Sequence, residues 1–231
     1  MGVNDWTYLT DGLDVATVRR GVTASIASPP GGGDFVFAFH SASVAPGAVA
    51  LAVNQQDFTP LARGGSVRGC LQRGPSGGPT GFSPFLFVGL QGPSVNDRGY
   101  LLGLADEDPH RIVLRKGTLR DGIPDGDGLD VLLVSSESFL LGAWHHLRLD
   151  AISNPNGDVV LAVFRSDLSL HPVGTPPAWT PIAGMPVFID DPLGIRSGSP
   201  ALVSGRAGFG FATREVTRRA YVDYLELLRQ V

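Results

Sequence analysis

Apolar residues in this chain recur at every second position or in short unbroken runs, and Gly, Pro, Asn or Asp interrupt them roughly every ten residues. Successive side chains on a strand point to opposite faces, so this rhythm predicts many short β-strands joined by tight turns. The clearest fall at 34–41, 48–54, 82–91, 100–106, 110–117, 129–136, 144–153, 158–166, 205–213 and 220–228. Leu225 to Arg229 favour a helix by propensity, but Tyr221, Val222 and Tyr224 are β-formers, and the last segment reads as a strand. The 31 glycines and 18 prolines are scattered, which suits turns and not a disordered tract. No repeat of 20–50 residues marks a solenoid or propeller. The expectation is an all-β antiparallel sandwich over 1–231, with 1–33 an arm or an edge strand. Long loops are expected at 62–84 and 167–204.

The stretch LGAWHHLRLD, 141–150, places two histidines side by side. On an extended chain His145, Leu147, Leu149 and Ala151 share the buried face, while His146, Arg148 and Asp150 share the other. The two imidazoles therefore do not chelate one metal. NPNGD at 154–158 then leads into DVVLAVF as a β-hairpin. The order GAWHHLRLD, hairpin, VVLAVF, long loop, GRAGFGFA and AYVDYLELL resembles the second half of a concanavalin A-like or laminin G-like jelly roll, over about 142–229. Over 34–117 only strand spacing and FVFAFHS agree. The resemblance implies two curved antiparallel sheets packed face to face, in a superfamily of lectins, glycan-binding modules, glucanases, adhesive domains and virion parts.

Charged residues make up 17% and the net charge is -4, so no chain-wide basic footprint for nucleic acid exists. The opening MGVNDWTYLTDG does not resemble a signal peptide, and no run approaches the roughly 18 apolar residues of a membrane span, so membrane insertion is not expected. Cys70 is the one cysteine and excludes an internal disulfide. A soluble product that starts in the cytoplasm is expected. Lys116 is the one lysine among 18 basic residues, a bias read as genome composition.

Candidate chemistry is sparse. Laminarinase-like members of the superfamily use E-x-D-x-E, whose alternation aims acid and nucleophile into one cleft. That triplet is absent, and the contiguous Asp106, Glu107 and Asp108 before Pro109 read as a turn. GPSGG, 74–78, matches the nucleophile-elbow spacing with Ser76, but Pro75 and Pro79 mark a turn and not a strand-to-helix elbow. Asp125, Asp127 and Asp130, with Asp121 nearby, form a Gly-rich carboxylate loop that suits calcium, as laminin G-like domains often use; the plainer reading is a solvated hairpin turn. Asp190 and Asp191 are a second source of oxygens.

Sugar binding needs an exposed aromatic and planar hydrogen-bonding groups. Trp179 in PPAWTP is the candidate stacking residue, with loop anchoring as its alternative; Trp6 and Trp144 are expected inside. Arg214, Arg218 and Arg219, like Arg19 and Arg20, read as solvated strand edges, or as contacts to carboxylates of a neighbouring subunit. The expected function is a non-catalytic structural or adhesive protein of a phage-like particle. It would assemble with virion proteins and copies of itself and contact host glycans. A lectin-like, calcium-dependent glycan-binding module is the alternative, and a laminarinase-like hydrolase the third reading.

Overall fold

The computed structural model describes residues 6–11, 16–20, 35–40, 49–54, 64–73, 82–92, 94, 96–105, 109–119, 131–167, 177–213 and 219–229; of the first four strands only the backbone is described. Among the described residues the strands are β1 (Trp6–Asp11), β2 (Ala16–Arg20), β3 (Phe35–His40), β4 (Val49–Asn54), β5 (Gly65–Arg73), β6 (Phe82–Leu90), β7 (Arg98–Leu104) and β8 (Arg111–Thr118). They continue as β9 (Val131–Ser138), β10 (Trp144–Ser153), β11 (Val159–Ser166), β12 (Thr180–Pro181), β13 (Phe188–Asp190), β14 (Arg206–Thr213) and β15 (Arg219–Arg229).

Two antiparallel sheets result. One runs β1-β4-β14-β6-β7-β8-β9 and the other β12-β11-β10-β5-β15-β3-β2, with β13 also paired to β11. Neighbours distant in sequence, such as β5 between β10 and β15, require the long crossovers of a jelly roll and not a simple meander. The core between the sheets gathers Leu86, Val88, Leu102 and Leu114 from the first with Val67, Leu147, Leu149 and Leu161 from the second.

The alternation predicted for β10 is present. Leu147, Leu149 and Ala151 lie in the core, and Arg148 and Asp150 are half-buried on the outer face. Its hairpin to β11 is set by Asn154, whose Oδ1 accepts the amides of Asn156 at 2.9 Å and Asp158 at 3.0 Å, while Gly157 takes φ +86. The first sheet departs from simple alternation. Phe85, Phe87, Leu101 and Val113 on its outer face are fully buried and form a second apolar cluster with Leu119. The unbroken runs FLFVGL and YLLGLA supply apolar side chains to both faces.

Two expectations are corrected. Part of the loop expected at 62–84 is β5, at the centre of its sheet. Gly65 and Gly69 interrupt its apolar pattern, yet Val67 and Leu71 reach the core, and Arg68 and Gln72 are satisfied by Glu226 and the Gly142 carbonyl. The stretch 167–204 contains β12 and β13, too short to show a period. Within 1–33, β1 and β2 pair with β4 and β3 at the sheet edges, the edge-strand form of the expectation for that segment.

Candidate functional site

The turn between β9 and β10 builds one end of the sandwich. Phe139 donates its amide to the His110 carbonyl at 2.8 Å, Gly142 donates to the Arg73 carbonyl at 2.8 Å, and Gln72 Nε2 holds the Gly142 carbonyl at 2.6 Å. These bonds fix the turn over β5 and β8. An aromatic row follows: His110 lies 5.6 Å from Phe139, and Phe139 meets His145 edge-on at 5.4 Å. The turn's own carbonyl orients His145, because Leu140 O can only accept, so His145 Nε2 donates the 2.9 Å bond and carries the proton.

Between this turn, the ends of β9, β10 and β11, and Ile182 lies a groove of about 490 Å³. Phe139, Leu140, Trp144 and His145 give it an apolar and aromatic wall. Its polar side carries Ser138, Glu137, Arg165 and Asp167. Arg165 Nη1 donates to Glu137 Oε2 at 3.1 Å, with the two side chains 49% and 58% exposed, so the pair is presented to solvent and not sealed. Burial holds His145 below the usual histidine range, and the nearby Arg165 charge acts in the same direction, against the Leu140 bond. The ring is therefore neutral at neutral pH. Trp144, expected inside, is half-buried and lines this groove.

Trp179 is placed elsewhere. It lies against the outer face of the second sheet, its ring 4.5 Å from His146 and under the guanidinium groups of Arg68 and Arg148 at 5.9 and 5.8 Å. Arg68 and Arg148 are register partners on β5 and β10, an unfavourable pairing of like charges. Each is offset by its own carboxylate, Arg68 by Glu226 and Arg148 by Asp150, and by the shared indole. This geometry packs the half-buried Trp179 against the sheet, away from the lining of the groove. His146 is only 2% exposed and, like His145, also borders the groove.

The opposite end, beside the hairpin turn where Gly157 meets Pro192, is closed by charge. Lys116 Nζ lies 2.6 Å from Asp190 Oδ2, and both side chains are fully buried. Tyr100 donates to the same oxygen at 2.5 Å, Ser197 donates to Asp190 Oδ1 at 2.5 Å, and Lys116 also reaches Ser199 O at 2.6 Å. Tyr100 and Lys116 are register partners on β7 and β8, so this network ties the first sheet to β13 of the second. Burial, reinforced by the Asp190 bond, raises the Tyr100 phenol, and burial lowers Lys116 against the pull of Asp190.

Asp191 spends its carboxylate on the amides of Leu193, Ile195 and Arg196 at 2.9 to 3.0 Å, which lowers its pKa. Gly194, at φ +73, permits the close return of the chain, because a Cβ there would collide with the Ser199 backbone. Asp190 is thus enclosed by internal bonds, and Asp191 accepts three backbone amides. Asp121, Asp125, Asp127 and Asp130 lie outside the described residues, as do Asp106, Glu107, Asp108, Ser76 and Arg214 to Arg218. Among the described residues no three His, Cys, Asp or Glu side chains converge as metal ligands.

The groove residues Glu137 and Phe139, at the end of β9, and Arg165, at the end of β11, form no motif in the sequence because the two strand ends are far apart along the chain. Lys116 had a signal, a lone lysine inside an apolar strand, but composition explained it away.

No protein-family profile matches the chain, and no characterised protein matches its sequence. Solved structures do match in shape. The carbohydrate recognition domain of Emp46p aligns over 99% of this chain and 90% of its own, at 11% identity and a TM-score of 0.51. Cip1, a cellulose-induced protein, aligns over 100% of this chain and 94% of its own, at 11% identity and a TM-score of 0.53. At these identities the likeness concerns the fold alone, an antiparallel two-sheet jelly roll of the concanavalin A-like kind.

Proposed function

We propose that this chain is a non-catalytic, lectin-like glycan-binding module whose ligand occupies the groove beside His145. The observation that carries the proposal is the groove itself. A space of about 490 Å³ joins an aromatic wall to a solvent-facing carboxylate and guanidinium, the apolar face and planar polar groups that a pyranose ring requires. The shape likeness to a carbohydrate recognition domain supports the same reading. Absence of an E-x-D-x-E triplet from the sequence argues against a laminarinase-like reaction. The particle role expected from the sequence draws no support from the groove or from the fold, and glycan contact is the part of that expectation carried forward.

A glycan array, run with and without a chelator, tests the proposal and the calcium expectation together. Binding to a defined oligosaccharide is expected, with Trp144→Ala weakening it by about tenfold through loss of a stacking contact. Silence in both arms would sink the proposal.

A further inference from the structure

The charges around the groove also say which sugars it takes. We propose that the Glu137–Arg165 pair makes the groove selective for uncharged glycans over uronic-acid glycans, with Glu137 as the specificity-determining residue. This inference rests on the glycan reading above.

Among the described residues Arg165 is the one arginine or lysine lining the groove, and its guanidinium already donates to Glu137. A sugar carboxylate entering here would either displace Glu137 from Arg165 or share a guanidinium whose charge Glu137 already offsets, and either course leaves the desolvation of an anion poorly repaid. Asp167 adds a second acidic side chain at the rim. His145 does not fill the gap, since burial keeps its ring neutral and its Nε2 proton is committed to Leu140 O.

A neutral diol meets no such obstacle. One hydroxyl donates to the exposed Glu137 carboxylate while its neighbour accepts from an Arg165 N–H, and the ion pair stays intact. The C–H face of the ring then rests against the half-buried Trp144.

The test measures affinities of the full chain for laminarihexaose, mannohexaose and cellohexaose against hexagalacturonate, by calorimetry at low salt. The wild type is expected to prefer at least one neutral hexamer over hexagalacturonate by tenfold or more. Glu137→Gln keeps the side chain's shape at an exposed position but frees the guanidinium, so that preference should shrink at least tenfold. The new uronate binding should weaken with added salt and vanish in Glu137→Gln combined with Arg165→Gln. A wild type that prefers hexagalacturonate would overturn the inference while leaving glycan binding intact. An unchanged preference in Glu137→Gln, at an unchanged melting temperature, would overturn it too. No binding to either class would remove the glycan reading and this inference with it.

Discussion

The two ends of the sandwich each set a cation beside a carboxylate, and the pairs do opposite things. Lys116 and Asp190 meet at 2.6 Å with neither side chain exposed, and Tyr100 and Ser197 fill the remaining positions on the carboxylate. Arg165 and Glu137 meet at 3.1 Å with about half of each side chain in water. A charge pair that has lost all its water must be satisfied by the protein itself, so the first works as a bolt between sheets. One that keeps its water can exchange it for a ligand's hydroxyls, so the second is where binding is proposed.

The largest effect expected from breaking this contrast comes from Lys116→Met. It leaves Asp190 buried without its cation and should cost about 3–5 kcal/mol in chemical denaturation, while Arg165→Met, at the exposed pair, should cost about 1 kcal/mol or less. Equal costs for the two would erase the distinction between the ends.

A smaller effect follows from pH. His145 titrates below its unfolded value near 6.5 because burial disfavours the imidazolium. The neutral ring's contribution is thus fully present above that value and is lost as the pH falls through it toward the folded value. Melting temperature should fall between pH 7.5 and 5.5, and His145→Asn should lack that part of the fall.

The smallest effect concerns Leu193 and Ile195, 78% and 80% exposed on the loop that the buried network pins. Replacing either with serine should shift stability by no more than about 0.5 kcal/mol. A larger loss would mean that the loop's display, and not only its anchor, supports that end.

The strands of β10 and β11 were legible because each alternates strongly, with a self-contained turn signal at Asn154 to Gly157. β5 was not, since two glycines hide the period and its partners lie far along the chain. Trp179 drew notice as a surface aromatic in a proline-rich loop. Local sequence says nothing of the two arginines and the histidine brought beneath it by β5 and β10. Sites assembled from strand ends share that difficulty, for Glu137 and Arg165 become neighbours only after β9 and β11 have taken their places in different sheets.

The buried bolt has one more consequence. Sealing Lys116 inside withdraws the chain's one ε-amine from every reagent or enzyme that works from outside, and arginine carries the permanent positive charge that remains on the surface. Acetyl transfer, ubiquitin attachment and amine-reactive dyes have no lysine target on the folded chain. Neither side-chain acylation nor alkaline pH short of guanidinium deprotonation can remove that surface charge.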